Sequence, residues 1–230
     1  MSAPMFKHWR TTLERLEKFI SKGQFSDYNI SKCHFSGFIN PSSIMCWTPS
    51  EARPPFSLAI SSRDYVKVDG ISSHTFSPTW STHWLKIKFP ADCISPSSPV
   101  YLIVDCDCEA LLYSMKGRPL QAFSENRKYF QVNQLLEDSK CLEFMLEVAC
   151  NGLFGAGDYC IGPPKLEKKF NISQLQIARR NVEPHLLLEN LTLLYEMAKE
   201  LGSDSNYAHH LLFLANDIIN SYDINQVNIF

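Results

Sequence analysis

The chain has 230 residues, 45% of them hydrophobic and 20% charged, and its 22 basic side chains against 24 acidic ones leave a formal net charge of -2. That length suits one domain or one and a half rather than a two-domain enzyme, and the composition is too apolar for intrinsic disorder. The balanced charge lacks the positive field with which a nucleic-acid binder neutralises phosphates, no apolar run approaches the roughly 20 residues of a bilayer-spanning helix, and Met1 to Arg10 carries no signal-peptide core. A cytoplasmic protein that binds neither nucleic acid nor membrane is therefore expected.

Phe6, Trp9, Leu13, Leu16, Phe19 and Ile20 recur at spacings of one, three and four, with Arg10, Glu14, Arg15, Glu17 and Lys18 on the other face. The pattern predicts an amphipathic helix from Lys7 to Ser21, ended by Gly23. From Asn40 to Ser77, Pro41, Pro49, Pro54 and Pro55 forbid long helices, and the segment reads as loop with one or two edge strands.

Short runs bounded by turn residues then predict strands at Trp80 to Phe89, Val100 to Asp105, Ala110 to Met115, Lys128 to Val132 and Leu142 to Ala149. Val100 to Val104 is apolar on both faces, as in a strand covered on both sides. Pro90 to Pro99, Lys116-Gly117-Arg118-Pro119 and Asn151-Gly152 supply turn chemistry, and strands at this spacing point to an antiparallel sandwich. After Pro163-Pro164 the helical period returns. Ser173 sits where an N-cap would, and an apolar stripe runs from Leu175 through Leu186, Leu187 and Leu191 to Leu201, closed by Gly202. Pro184 inside it requires a kink or two separate helices. A last helix is expected from Ser205 to Ser221. The organisation is thus a helix over 1–23, a sandwich over 24–165 and a helical tail over 166–230.

The residues that could carry chemistry are few. Asp105, Asp107 and Glu109, spaced by two, would line one strand face, where carboxylates serve a sugar or metal site or simply a hydrated edge. Trp80 and Trp84, four apart, would share a strand face, either as a stacking platform for sugar rings or as core anchors, the commoner use of so large a side chain. Eight cysteines include no C-x-x-C pair. Cys106 and Cys108 would point to one face of a strand, and without a secretion signal all eight are expected to be free thiols. The sequons at Asn29, Asn171 and Asn190 lose their meaning for the same reason. His209 and His210 diverge by about 100° on a helix, too far for joint chelation. There is no G-x-S-x-G and no P-loop, and Gly152 to Gly157 lacks the flanks of a dinucleotide-binding turn. No catalytic and no metal-binding residue is assigned.

Three stretches nevertheless resemble a known family. The opening Lys7 to Ser21 (KHWRTTLERLEKFIS), the strand Pro78 to Leu85 (PTWSTHWL) and the run Glu147 to Gly157 (EVACNGLFGAG) are similar to the amino-terminal region of the cytosolic and vacuolar type α-mannosidases of glycoside hydrolase family 38. Asp105 to Tyr113 and Gly117-Arg118-Pro119-Leu120-Gln121 fit the same pattern, and the resemblance runs from about Lys7 to about Tyr222. It implies a mainly β fold with flanking α, a galactose-binding-like antiparallel β-sandwich with an N-terminal helix and C-terminal helices.

In that family the region precedes a catalytic domain, opened by a His-x-Asp zinc motif and holding an aspartate nucleophile for a retaining reaction. No histidine here is followed two positions later by Asp, so no catalytic residue is carried over. The resemblance implies a non-catalytic N-terminal domain, without a cofactor of its own, of an enzyme that uses zinc or cobalt to hydrolyse terminal α-mannose from free oligosaccharides. The alternative is a stand-alone carbohydrate-binding or assembly module. Trp80, Trp84, Asp105 and Glu109 are then the candidates for sugar binding or a domain interface. The expected partners are the catalytic domain or neighbouring mannosidase subunits, reached through the C-terminal helices, and a mannose-containing oligosaccharide.

Overall fold

The computed structural model describes residues 8–21, 29–51, 53–90, 99–136, 141–151 and 165–222. The glycine-rich run after Asn151, Gly23 and the final residues from 223 lie outside them. Eleven strands and five α-helices are assigned: β1 (Phe35–Ile39), β2 (Ser43–Trp47), α2 (Phe56–Ser61), β3 (Val66–Lys67), β4 (Thr75–Phe76), β5 (Thr82–Pro90), β6 (Val100–Cys106), β7 (Glu109–Ser114), β8 (Pro119–Phe123), β9 (Tyr129–Gln131), α3 (Asn133–Leu136), β10 (Cys141–Ala149) and β11 (Phe170–Arg180), with α1 (Trp9–Ile20) before them and α4 (Val182–Leu201) and α5 (Asn206–Ser221) after.

The strands form two sheets. One has the order β1-β11-β6-β9, with β4 also paired to β11, and the other the order β3-β2-β5-β10-β7-β8. The pairings β5·β10, β10·β7, β2·β5, β7·β8, β11·β6 and β6·β9 are all antiparallel. Alternation decides which side chains meet between the sheets. Leu85, Ile87 and Phe89 of β5, Phe144, Leu146 and Val148 of β10, Leu102 and Val104 of β6, and Leu175 and Ile177 of β11 form one buried cluster. This is the sandwich expected from the sequence.

Two compact units emerge, Gly37–Arg179, which holds the sandwich, and Met1–Ser36 together with Arg180–Phe230. In the second unit Leu16 and Phe19 of α1, Leu191, Tyr195 and Ala198 of α4, and Leu211, Leu212 and Ala215 of α5 share a core of their own. Arg15 reaches across to Asn216 and, at 2.9 Å, to Asn220, while Arg10 and Glu14 pair at 3.0 Å along α1. The Ser205 side chain caps α5 by accepting from the Ala208 amide, and Gly202 ends α4 with φ at 75°, a left-handed value that favours glycine.

The helical tail is the main correction. Residues 166–180 do not begin it: Ser173 lies inside β11, and the helix starts at Val182. The cause is a β-bulge between Ile172 and Gln174. It moves the next inward residue from position 174 to Leu175, and with Ala178 buried on the opposite face, Ile172, Leu175 and Ala178 stand three apart as on a helix although Phe170, Ile172, Leu175 and Ile177 are the ones that enter the sandwich core. Pro184 needs neither a kink nor a break. It stands in the first turn of α4, where the amide hydrogens have no intrahelical acceptor to lose.

Two smaller differences follow from short edge elements. The 40–77 segment holds β2, β3, β4 and the six-residue helix α2, and β8 begins on Pro119, tolerated because it opens an edge strand. The β7–β8 turn needs Gly117, whose φ is 80° and where a Cβ would stand 3.0 Å from the Phe56 ring.

Candidate functional site

The two tryptophans part company. Trp84 is in β5, 1% exposed, and its ring packs against Phe56 at 6.0 Å and Tyr113 at 5.4 Å in a small cluster with Ala59 and Met145. A ring so placed anchors α2 on the outer side of the sheet and leaves no face for a sugar. Its Nε1 has no hydrogen-bond partner among the described residues. Trp80 is not in the strand at all. It occupies the turn leading into β5, with φ at 69°, and its amide donates to Cys150 O at 2.9 Å. The expected shared strand face is therefore absent. Trp80 is 47% exposed, and a non-glycine residue at positive φ is a costly conformation that its surroundings must hold in place.

The carboxylates separate for a similar reason. β6 ends at Cys106 and β7 begins at Glu109, and these strands belong to different sheets, so Asp105, Asp107 and Glu109 line no common face. Asp105 binds Lys128 Nζ at 2.7 Å, Asp107 accepts from the Asn171 amide at 2.8 Å, and Glu109 accepts from Asn151 Nδ2 at 2.5 Å. Each carboxylate fastens a neighbouring strand or turn. No pair converges on open space as general acid and base must. Cys106 and Cys108 both enter the sandwich core, and the Cys106 thiol donates to Cys108 O at 3.2 Å. Burial pushes the Cys46 thiol up to about 11, in keeping with an inert buried thiol. Among the described residues, no three His, Cys, Asp or Glu side chains come together to hold a metal ion. The zinc or cobalt implied by the family resemblance thus has no matching donor set in the described part of this chain.

Sequence reasoning missed three polar arrangements. Glu147 of β10 accepts from Tyr113 Oη at 3.0 Å beside the Trp84 cluster; burial raises the Glu147 carboxyl and, with Glu147 as its neighbour, pushes the Tyr113 phenol up to about 12. His83 is buried, its two ring nitrogens each 2.9 Å from a hydroxyl, those of Thr48 and Ser81. In the helical unit His185 Nδ1 meets His34 Nε2 at 2.9 Å, while its Nε2 lies 3.2 Å from both Glu189 and Arg180, tying the chain around His34 to the first turn of α4. Register makes the Glu147–Tyr113 pair findable only once β10 is known to lie beside β7. His209 and His210 do diverge, His209 packing on Trp9 with its Nε2 at 2.8 Å from Ser203 O and His210 exposed. Asn29 is buried and bonded to the Ser31 amide and Lys18 O, which leaves its side chain no room for a glycan.

The raised Glu147 carboxyl carries an expected result. A group that holds its proton more tightly in the fold than in the unfolded chain destabilises the fold once pH rises through its native pKa. Glu147→Gln keeps an acceptor for Tyr113 and removes the charge. It should be more stable than the parent at pH 7, with the difference vanishing below pH 4.5, the carboxyl's unperturbed value. Urea melts at the two pH values measure this, and an equal difference at both would assign the effect to packing.

A family model described as the alpha-mannosidase jelly roll domain matches residues 40–178. The chain belongs to this alpha-mannosidase family. The match coincides closely with the sandwich unit, Gly37–Arg179. Among relatives, the alpha-mannosidase 2C1 of Homo sapiens is 35% identical over 234 residues, covering all of this chain and 22% of the relative. Alpha-mannosidase G of Dictyostelium discoideum is 27% identical over 98% of this chain, and the alpha-mannosidase of Saccharomyces cerevisiae 30% identical over 66% of it. The chain spans about a fifth of the length of the first of these, 22%.

Proposed function

We propose that the 230 residues act as a non-catalytic N-terminal domain of an alpha-mannosidase whose full-length form removes terminal α-mannose from free oligosaccharides in the cytoplasm, within glycoside hydrolase family 38. The observation that carries this reading is the confinement of the family match to the jelly roll domain, in relatives about five times longer than the chain. The chemistry agrees with it. Asp105 and Glu109 are tied into the fold, and the donors for zinc or cobalt belong to a catalytic domain elsewhere in such an enzyme. A cytoplasmic location draws support from the buried free thiols Cys33, Cys46, Cys106, Cys108 and Cys150, and no helix among the described residues is long and apolar enough to cross a membrane. The partner is the remainder of the enzyme, docked on the exposed apolar side of α4 and α5. A second reading, a carbohydrate-binding role, is favoured by Asp105, which borders an open polar cleft.

The purified chain should show no turnover of an aryl α-mannoside with Zn²⁺ or Co²⁺ added. Mixing it with a human alpha-mannosidase 2C1 that lacks the matching N-terminal fifth should raise that protein's turnover by about tenfold or more, the scale expected when binding energy assembles a site. Activity in the chain alone would overturn the domain reading, and so would a truncated enzyme indifferent to the added chain.

A further inference from the structure

The outer face of the β1-β11-β6-β9 sheet carries an organised row of amide groups. Gln174 Nε2 donates to Gln176 Oε1 at 2.8 Å, and Gln176 Nε2 donates to Asn40 Oδ1 at 2.8 Å. Cross-strand register sets Gln174 opposite Asp105 and Gln176 opposite Ile103, so the relay runs along β11 with the Asp105 carboxylate beside its first member. Asp105 is held by Lys128 at 2.7 Å, and its carbonyl accepts from Ser173 Oγ at 3.1 Å. Asn40, Asp105, Ser173, Gln174 and Gln176 border an open cleft of about 440 Å³, which Ile71 and Ser72 also line.

We infer that this cleft binds a neutral pyranoside. The chemistry of the lining selects that class. The relay uses one end of each terminal amide, leaving the Asn40 NH₂ and the Gln174 carbonyl outside it, a donor at one end of the row and an acceptor at the other. A sugar hydroxyl both donates and accepts, and adjacent ring hydroxyls present such groups in a row. An inorganic anion would meet the Asp105 carboxylate, and a cation gains little from a carboxylate whose charge the Lys128 ammonium at 2.7 Å already balances. Ile71 gives the C–H side of a ring an apolar rest, while the half-buried Gln174 and Gln176 and the exposed Asn40, bonded to one another, lose little freedom on binding. The volume matches a small-molecule site and exceeds what one hexose ring fills, so a disaccharide fits better. Neither tryptophan takes part: Trp84 is buried, and Trp80 is not among the residues that line the cleft.

This deepens the carbohydrate-binding reading and depends on the mannosidase assignment only for the choice of first sugar. Amide spectra of the ¹⁵N-labelled 230-residue chain titrated with methyl α-D-mannopyranoside and with α-1,2-mannobiose supply the test. Shifts are expected around Asn40, Asp105, Gln174 and Gln176, with a Kd on the order of 1 mM for so open a site. Gln176→Ala removes both hydrogen bonds of the central amide and should weaken binding by about tenfold, while Gln131→Ala, which alters a side chain outside the cleft, should leave it unchanged. Methyl β-D-glucopyranoside and potassium phosphate complete the series. Equal response to the glucoside upholds a sugar site while speaking against a mannosidase role for it. Response to phosphate alone overturns the proposal, and so does silence towards every sugar in a chain whose spectrum shows it folded.

Discussion

Lowering the pH from 7 to 5 is expected to cost the fold about 2 kcal/mol through a single side chain, His83. The imidazole is 3% exposed on β5, its ring 5.3 Å from that of Phe76. Burial lowers its pKa from 6.5 to about 4, opposed weakly by a hydrogen bond with the Ser77 backbone and assisted by the nearby His74. The direction of the effect follows from the neutral form being the one that the fold prefers. Above pH 6.5 the folded and unfolded chains bind the same number of protons on this group, and its contribution is fully present. As pH falls from 6.5 towards about 4, the unfolded chain gains a proton that the folded one resists, and stability drains away. His74 and His185 are lowered in the same direction and add a background slope. His83→Gln isolates the larger effect, since Gln can still meet the hydroxyls of Thr48 and Ser81 and has no charge to acquire. Unfolding free energies at pH 7 and pH 5 should fall by about 2 kcal/mol more in the parent than in the variant, whatever their absolute difference. Parallel pH profiles for the two proteins would remove His83 from the account. A fold with this sensitivity suits a neutral compartment better than an acidic one, in line with the cytoplasmic location proposed above.

The sandwich was legible because its strands obey period two. Leu85, Ile87 and Phe89 alternate with Trp84, Lys86 and Lys88, as Leu142, Phe144, Leu146 and Val148 do with Glu143, Met145 and Glu147, and the turns between strands carry glycine and proline. The amphipathic α1 was legible for the matching reason, its Leu16 and Phe19 lying three apart on a face opposite five charged side chains. Legibility failed wherever pairing, not composition, decides the outcome. β11 escaped because a bulge breaks its period, and β8 because an edge strand buries too few residues to leave a signal. The candidate site was the least legible part. Asp105 and Glu109 are two strands of different sheets in space though four residues apart in sequence, while Asn40, Asp105 and Gln176 border one cleft from positions far apart along the chain. Amides of this kind carry no motif; the pairing of β1 with β11 brings Asn40 to Gln174 and Gln176, and the register of β11 against β6 sets Asp105 beside them.

In isolation the chain is expected to self-associate at concentrations of tens of micromolar, through one side of α4. Val182, Leu186, Leu193, Met197 and Leu201 fall within an arc of about 100° around that helix at 100° per residue, with Leu186 50% exposed and Leu193 58%. The opposite face is already spent on the helical core, where Leu191, Tyr195 and Ala198 are buried. α5 adds Tyr207, Phe213 and Leu214 to the exposed apolar set. A fully buried leucine contributes roughly 1.5–3 kcal/mol, so several half-exposed ones together give a drive of a few kcal/mol for any surface that covers them. Under the proposed function that surface is the remainder of an alpha-mannosidase, and a second copy is the substitute when the chain stands alone. Leu186→Glu with Leu193→Glu should abolish the association while changing unfolding free energy by less than about 0.5 kcal/mol per site, because neither side chain belongs to the buried core. The same double variant should fail to raise the turnover of a truncated mannosidase, which links the two surfaces in one experiment. Light scattering behind size exclusion reads the first effect directly. A parent chain that elutes as a clean monomer and binds no hydrophobic dye would show that water tolerates the stripe, and association that survives both glutamates would move the interface away from α4.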